Sequence, residues 1–205
     1  MKRAIIVSKL TCDISFLKHD SAFKIACDAG YLNFKKVGFE PDLLIGDFDS
    51  LKEVPDAVKK IRLNPIKDVT DTEYALNLLI SEGYDDISIY GAIGERLDMT
   101  LTTVSLLAKA SLQGIRIKAF FDDKIIFSLY NSEVSFKEDA TGTISVFSFL
   151  NEARGVDESN LKYELKDYTL KNVEPLGVSN EFISKRATIR VKDGILIVIT
   201  KADNL

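Results

Sequence analysis

Two carboxylates separated by one residue follow a short apolar run in the first half of the chain. Residues 42–50 are D-L-L-I-G-D-F-D-S, which places Asp47 and Asp49 just beyond Leu43–Ile45 and a glycine. Aspartates in loops are often solvated turn residues, and that interpretation stays open for both side chains. Close carboxylates repel unless a cation lies among them, and hard oxygen ligands without paired histidine or cysteine suit Mg²⁺. The question is whether other carboxylates reach the same place.

Further acidic residues occupy comparable positions. Asp28 follows the apolar run Phe23–Cys27, and Asp98 lies in the segment G-A-I-G-E-R-L-D. Asp68 and Asp71 lie in K-D-V-T-D, just before a helical pattern. Ligands of an open α/β sheet bind beyond the carboxyl ends of its strands, and these residues come after strands or before helices. On a parallel sheet they would all lie on one edge.

Local helix chemistry explains some of these positions without any site. Thr70 and Glu73 fit a capping box, in which Asp71 merely favours the helix N-terminus. Asp98 is itself a suitable N-cap for the helix that follows it. Asp68 is explained equally well as a solvated loop residue. Capping does not explain why strand after strand brings a carboxylate to the same edge, so a cation site is the sharper interpretation.

The elements that position these residues follow from apolar patterning. Short apolar segments predict five strands, which are Arg3–Val7, Phe23–Cys27, Leu43–Ile45, Asp86–Tyr90 and Ile115–Phe121. Helical spacing predicts two helices, Thr72–Ser81 with Tyr74, Ala75, Leu78 and Leu79 on one face, and Met99–Leu112 with Leu101, Val104, Ala108 and Leu112 on one face. Strands that alternate with helices predict a three-layer α/β domain over residues 1–124, with a mostly parallel sheet.

The pattern changes from about residue 125. Thr143–Leu150 and Ala187–Thr200 alternate apolar and polar residues, and the second segment is interrupted by Asp193-Gly194, a typical hairpin turn. Long helical periodicity is missing from this part of the sequence. Residues 125–205 are therefore predicted to form an antiparallel β-sandwich domain.

Composition excludes several classes of function. With 46% apolar residues among 205, the chain can bury a substantial core. Its net charge of −4 argues against a nucleic-acid partner, which requires a basic face. Cys12 and Cys27 fit neither a metal spacing nor a disulfide framework. The apolar run near the start is too short for a signal peptide or a membrane span, so we expect a cytoplasmic protein without a membrane partner.

Phosphate-binding features accompany the carboxylates. Gly91 and Gly94 would let the backbone approach a phosphate, and the helix that follows would direct N–H groups at it. Arg96 would clamp phosphate oxygens, and Lys67 would add a point charge. Neither a P-loop nor a dinucleotide fingerprint is present. The edge is therefore predicted to be a site for Mg²⁺ and a polyphosphate.

Three motifs occur in a characteristic order: G-D-F-D-S (46–50), K-D-V-T-D (67–71) and G-A-I-G-E-R-L-D (91–98). With the weaker features L-K-Y-E-L (161–165) and G-V-S-N-E (177–181), they resemble the thiamine pyrophosphokinase (thiamine diphosphokinase) family. The resemblance implies a catalytic α/β domain followed by a β-sandwich that binds thiamine and forms a homodimer, with thiamine at the subunit interface. It implies transfer of the pyrophosphoryl group of ATP to the hydroxyl of thiamine, which releases AMP.

The resemblance also assigns roles to individual residues. The expected metal ligands are Asp47, Asp49 and Asp71. The expected catalytic residues are Asp71, Arg96 and Asp98. The residues expected to bind ATP, its metal or thiamine are Asp28, Lys67, Asp68, Thr70, Gly91, Gly94, Arg96, Ser179 and Asn180.

Two other functions stay open at this point. A phosphatase with an aspartyl nucleophile also places two aspartates one residue apart after a strand, but it leaves the R-L-D segment unexplained. A sensor that binds a nucleotide or thiamine without turnover would use the same scaffold. Glu95 and Met99, which depart from the family pattern around Arg96, favour the sensor. The nucleotide product formed with thiamine discriminates among the three.

Overall fold

The computed structural model describes residues 1–66 and 68–205 and divides into two compact units. The first comprises Met1–Thr103 with Ile115–Phe121, and the second comprises Val104–Gly114 with Asp122–Leu205. The predicted boundary at residue 124 leaves one long helix whole, whereas the compact units divide that helix after Thr103. The separate roles predicted for the two domains stay predictions.

A parallel sheet forms the frame of the first unit. Its strands are β1 (Arg3–Val7), β2 (Phe23–Cys27), β3 (Leu43–Gly46), β4 (Lys60–Arg62), β5 (Asp86–Tyr90) and β6 (Arg116–Phe121). Their order is β6-β5-β1-β2-β3-β4, and each adjacent pair is parallel. The carboxyl ends of these strands therefore lie on one edge, and the predicted mostly parallel sheet is confirmed.

Helical segments connect these strands. The α-helices are α1 (Tyr31–Val37), α2 (Asp71–Ser81) and α3 (Leu97–Ser111), and short 3₁₀ segments cover Ser15–His19 and Asp28–Gly30. All four residues of β3 are buried, as are the last four of β1 and of β2. Burial on both faces explains why these strands are continuous apolar runs rather than alternating ones.

The faces predicted for the two longer helices are confirmed only in part, because Ala75, Leu79 and Ala108 are buried and the other predicted residues are half-buried or exposed. The buried residues of α2 are Thr72, Ala75, Leu76 and Leu79. In α3, Leu101 is 69% exposed and Leu112, just past its end, is 52% exposed, whereas Thr103 and Leu107 are buried. Buried threonine explains the error in α3, because the Thr103 hydroxyl donates to the carbonyl oxygen of Met99 at 2.8 Å and is thereby satisfied.

The second unit contains two antiparallel sheets, as predicted for the C-terminal part. Its strands are β7 (Lys124–Tyr130), β8 (Glu133–Ser135), β9 (Thr143–Ser148), β10 (Glu152–Ser159), β11 (Leu165–Lys171), β12 (Asn180–Glu181), β13 (Thr188–Arg190) and β14 (Ile195–Lys201), before a 3₁₀ turn at Ala202–Asn204. One sheet has the order β12-β9-β14-β7 and the other β11-β10-β13-β8.

The hairpin predicted at Asp193-Gly194 is wrong. The strands on either side of it belong to different sheets, because β13 pairs with β10 and β8 while β14 pairs with β7 and β9. Other segments occupy the polar groups of this turn: Arg154 N–H donates to the Asp193 carbonyl at 2.7 Å, and Gly194 N–H donates to Asn131 Oδ1 at 2.8 Å. The turn therefore passes the chain from one sheet to the other.

No helix in the part of the chain that the structure describes is long and apolar enough to cross a membrane.

Candidate active site

Three carboxylates meet at the carboxyl edge of the parallel sheet. Asp28 begins the 3₁₀ turn after β2, and Asp47 and Asp49 follow β3, the neighbouring strand. Each offers an oxygen atom, and these three atoms lie within 4.8 Å of one another. Asp28 is buried, Asp47 is half-buried and Asp49 is exposed, so the group opens towards solvent on one side. Hard oxygen donors in this arrangement fit a divalent cation.

Backbone conformation brings the two loop aspartates into this group. Phe48, which separates them, has a left-handed φ of 68° and a buried side chain. The guanidinium of Arg62 lies 5.0 Å from the Phe48 ring centroid, and its Nη1 donates to the Asp47 carbonyl oxygen at 3.2 Å. The backbone N–H of Asp49 donates to Asp47 Oδ1 at 3.1 Å. A buried aromatic ring thus anchors a turn that presents both carboxylates.

Gly46 permits the close approach of β3 to Asp28. A Cβ atom at this position would lie 3.1 Å from both Cα and Cβ of Asp28, so any other residue would have to displace Asp28 by a few tenths of an ångström. Asp28 itself has a left-handed φ of 47°. Left-handed backbone in residues other than glycine concentrates at functional sites, and here both Asp28 and Phe48 adopt it.

The carboxyl of Asp28 is in an environment that disfavours its charge. Burial raises its pKa above the ordinary value, and the neighbouring carboxylates of Asp71 and Asp47 raise it further, while hydrogen bonds from Ser50 and the Ala29 backbone act in the opposite direction. Among the described residues, its Oδ1 is buried without a hydrogen-bond partner. A divalent cation bound among these carboxylates would give this buried acceptor a partner.

Ser50 is a site residue that the sequence analysis did not single out. Its hydroxyl donates to Asp49 Oδ1 at 3.0 Å and also interacts with Asp28. Because a hydroxyl has one proton, it donates to one carboxylate at a time. The signal was present in G-D-F-D-S, where a hydroxyl directly follows the second aspartate.

The start of α2 approaches the same edge. Thr70 is the N-cap, as predicted, and its Oγ1 accepts from the Glu73 N–H at 3.1 Å. Asp71 is the first residue of the helix and acts electrostatically on Asp28. The buried hydroxyls of Ser8, just after β1, and Thr72 are 3.0 Å apart and tie the helix to the sheet edge. Asp71 thereby faces the carboxylate cluster from the helix side.

Arg96 and Asp98 pair with each other. Arg96 Nε donates to Asp98 Oδ1 at 3.0 Å, and Nη2 donates to Oδ2. This hydrogen bonding lowers the pKa of Asp98 to about 2 and raises that of Arg96. The helix begins at Leu97, so Asp98 lies in its first turn, and the predicted N-cap role is wrong. Both side chains are exposed, with an arginine that has donors to spare for an anion.

The segment between β5 and α3 is shaped by its glycines. Gly91 has a φ of 65°, and a Cβ there would lie 2.6 Å from the Leu10 carbonyl oxygen. This contact explains the glycine without a ligand, and its predicted approach to phosphate stays a prediction. Gly94 is exposed, and its N–H donates to Thr100 Oγ1 at 3.2 Å. Asp68 is exposed, and Lys67 lies outside the described residues.

In the second unit, Asn180 is a buried hub. Its Oδ1 accepts from the N–H groups of Tyr163 and Glu181 at 3.0 and 2.9 Å. Its Nδ2 donates to the Tyr163 carbonyl at 2.6 Å and to Glu158 Oε2 at 2.9 Å. These four bonds use the whole capacity of the amide, so the side chain fixes the neighbouring segment. Ser179 is exposed, with a left-handed φ of 60°, and its N–H donates to Ser145 Oγ.

Comparisons with known proteins agree with this architecture. A family model described as "Thiamin pyrophosphokinase, catalytic domain" matches residues 15–119, and one described as "Thiamin pyrophosphokinase, vitamin B1 binding domain" matches residues 131–196. The thiamine pyrophosphokinase of Bacillus subtilis is 27% identical over 198 residues, which cover 93% of this chain and 92% of that protein.

Solved structures share the fold over nearly the whole chain. The crystal structure of the Bacillus subtilis thiamine pyrophosphokinase has a TM-score of 0.87 at 27% identity and covers 98% of this chain and 100% of that one. The thiamin pyrophosphokinase structure from Geobacillus thermodenitrificans has a TM-score of 0.82 at 23% identity, with 100% of both chains covered. The yeast enzyme keeps the fold at 15% identity, with a TM-score of 0.79 over 100% of this chain and 88% of that one.

The fold and the two matched regions define an ATP-dependent transferase. The chain belongs to the thiamin pyrophosphokinase family. Its activity is the conversion of thiamine to thiamine diphosphate, and neither the phosphatase nor the sensor is favoured. Members of this family use ATP and typically a divalent metal.

Proposed function

We propose that this chain transfers the pyrophosphoryl group of ATP to the hydroxyl of thiamine at the carboxyl edge of its parallel sheet, with Mg²⁺ as the metal. The observation that carries the proposal is the group of three oxygen atoms from Asp28, Asp47 and Asp49. Mg²⁺ is held in proteins by a few carboxylates together with substrate phosphates, so this group suits a metal that arrives with ATP.

The proposed metal ligands differ in part from the predicted set. Asp47 and Asp49 are retained, and Asp28 joins them because its buried Oδ1 needs a partner. Asp71, predicted as the third ligand, is proposed instead to accept the proton of the thiamine hydroxyl from its position at the start of α2. A divalent cation bound here supplies charge neutralisation for the phosphates of ATP.

Catalysis of phosphoryl transfer depends mainly on positioning the reactants and neutralising charge. The residues at the sheet edge other than the metal ligands are proposed to contribute to these two tasks. The thiamine oxygen attacks the β-phosphorus of ATP, the bond from that phosphorus to the α-phosphate oxygen breaks, and AMP leaves. Arg96 neutralises the charge that develops on the transferred group, and Asp98 orients its guanidinium. Lys67, Asp68, Thr70, Gly91 and Gly94 contact the nucleotide and its phosphates.

Thiamine recognition is assigned to the second unit. Ser179 offers its hydroxyl to the aminopyrimidine ring, because it is exposed beside the buried hub. Asn180 contributes by holding this segment in place, since its four hydrogen bonds leave its amide no capacity for a ligand.

We propose a cytoplasmic homodimer with thiamine at the subunit interface. The resemblance to the family supports the dimer, and the absence of a disulfide among the described residues, Cys12 and Cys27 included, suits a reducing compartment.

The product of the reaction tests the proposal. Purified protein is incubated with ATP, MgCl₂ and thiamine, and we expect AMP and thiamine diphosphate in equal amounts. ADP as the product would identify a simple kinase that acts at the γ-phosphorus. Phosphate release from simple phosphomonoesters would support the phosphatase, and tight binding without turnover would support the sensor.

Substitution of Asp49 tests the metal assignment. We expect Asp49→Asn to lower kcat by at least about 100-fold, because a ligand of the metal that would neutralise the phosphates is lost. The circular dichroism spectrum should be unchanged. Asp56→Asn is the matched control, because Asp56 is an exposed aspartate in the loop that follows the same motif. Near wild-type activity in folded Asp49→Asn protein would exclude Asp49 as a ligand.

A further inference from the structure

Glu158 is a buried carboxyl that the proposed mechanism does not use. It lies on β10 with a side chain that is 1% exposed, and its cross-strand neighbour on β13, Ile189, is completely buried. Burying a carboxyl costs free energy unless it is well hydrogen-bonded, so an apolar residue would be the ordinary choice at this position. The presence of an acid here requires an explanation.

One carboxyl oxygen of Glu158 is engaged by the buried hub. Oε2 accepts from Asn180 Nδ2 at 2.9 Å, and this is the one bond of the Asn180 amide that reaches outside the segments 163 and 180–181. Tyr163 offers both an N–H and a carbonyl to Asn180, which excludes the flipped amide. Glu158 therefore completes a hydrogen-bond network in which the Asn180 amide has a single orientation.

The other oxygen lies in a place without donors. Oε1 is buried and has no hydrogen-bond partner among the described residues. It lies 3.1 Å from the point where a Cβ on Gly177 would stand, and the Val146 carbonyl oxygen lies 2.5 Å from the same point. Burial disfavours the charged form and raises the pKa of Glu158 to about 7, against the hydrogen bond from Asn180, which lowers it. An uncharged side chain with one acceptor for Asn180 is therefore what the site needs.

We propose that Glu158 is a positioning residue for thiamine: it holds the Asn180 amide, which in turn orders the segment of Ser179 and the backbone of Tyr163. The proposal rests on the proposed role of this segment in thiamine binding. Loss of the Glu158 carboxyl should weaken the binding of thiamine while leaving ATP binding and the chemical step intact.

Three substitutions test this role through a split between kinetic constants. Glu158→Asp withdraws the carboxyl from Asn180, and Glu158→Met removes it at similar volume, so both should raise KM for thiamine about tenfold, with kcat and KM for ATP within about twofold. Glu158→Gln keeps an uncharged acceptor and should retain the wild-type KM. Glu138→Gln, an exposed carboxyl in the same unit, is the control.

A double-mutant cycle with Asn180→Ala shows whether Glu158 acts through Asn180. We expect Glu158→Asp to add nothing to KM for thiamine in the Asn180→Ala background. Unchanged KM in Glu158→Asp, additive effects, or equal losses in kcat and both KM values would overturn the proposal. The conservative Asp and Gln variants keep the test available if Glu158→Met does not fold.

Calorimetric titration with thiamine separates this proposal from the proposed function. If the wild type forms no AMP but binds thiamine, and Glu158→Asp weakens that binding about tenfold, the positioning role stands and the proposed reaction fails. A wild type that binds no thiamine would overturn both.

Discussion

At the scale of single residues, the group formed by Asp28, Asp47 and Asp49 lowers the stability of the metal-free protein. Asp28 is buried beside Asp47 and within electrostatic range of Asp71, and its backbone is left-handed. Like charges at this distance oppose folding when no cation is bound, and residues in such conformations cost free energy of their own. An arrangement of this kind marks a candidate ligand site.

Substitution of Asp28 should therefore stabilise the metal-free protein. Asparagine tolerates the left-handed backbone and carries no charge, so we expect Asp28→Asn to raise the free energy of unfolding by about 1 kcal/mol, or Tm by roughly 2–4 °C. The wild type should gain stability from MgCl₂ and the variant should not. Differential scanning fluorimetry with and without MgCl₂ measures both effects, and a lower Tm in the variant would contradict the account.

Glu158 should make stability depend on pH. Its pKa is about 7 in the folded chain against an ordinary 4.5, so the folded state keeps a proton that the unfolded state loses between these values. The free energy of unfolding contributed by this group therefore falls by about 3 kcal/mol as pH rises from 4.5 to 8.

Glu158→Gln removes that contribution. The difference in unfolding free energy between this variant and the wild type should widen as pH rises through the same window, as measured by urea unfolding at several pH values. Glu138→Gln should follow the wild type throughout. Parallel curves for Glu158→Gln and the wild type would show that the acid is charged in the folded chain.

At the scale of elements, the N-terminus of α2 depends on one hydroxyl. Thr70 Oγ1 caps the Glu73 N–H, and its replacement by alanine should lower the free energy of unfolding by about 1 kcal/mol. Thr70→Ser keeps the hydroxyl and should restore most of this loss. Chemical denaturation of the three proteins measures the effect, and equal stability of the Ala and Ser variants would mean that the cap contributes nothing.

Strand ends and helix starts are the part of the fold that patterning predicts well. Strands β1, β2 and β5 have the predicted bounds, and β3 ends one residue later than predicted. The ends of β2 and β3 were enough to place Asp28, Asp47 and Asp49 at one edge. Their approach within a few ångströms depends on the left-handed backbone of Phe48, which no periodicity reveals.

Long-range pairing is the part that local sequence does not predict. Asp193-Gly194 has the composition of a hairpin turn, but the partners of its flanking strands are set by β7–β10, which are distant in sequence. The Asn180 network has the same origin, since its partners Tyr163 and Glu158 lie 17 and 22 residues away. Composition favours a turn at Asp193-Gly194 and at the segment of Asn180, but it does not predict which residues either turn contacts.

At the scale of the whole molecule, the proposed homodimer makes a quantitative prediction. Asp49→Asn lowers kcat and Asn180→Ala raises KM for thiamine, so at low thiamine each variant has little activity for a different reason. If thiamine lies at the interface of two subunits, and each site takes Asp49 from one and Asn180 from the other, a mixed dimer keeps one intact site.

Mixing the two weakened variants at low thiamine should then restore activity. With free exchange of subunits, about a quarter of the wild-type specific activity is expected, because half of the dimers are mixed and each has one working site. Assays before and after mixing measure this gain, and sedimentation confirms the dimer. No gain despite proven subunit exchange would place both residues in the site of a single subunit.

The fully hydrogen-bonded side-chain amide of Asn180 also constrains the order in which parts of the chain fold. Three of its four hydrogen bonds join Glu158 on β10 and Tyr163 in the following loop to β12, so these three cannot form before both stretches are in place. Contacts across such separations form late, after the entropy of closing the intervening chain has been overcome. The surface proposed to receive thiamine therefore becomes ordered only once the C-terminal unit has assembled, and a nascent chain that has not yet released residue 180 has no ordered place for the vitamin.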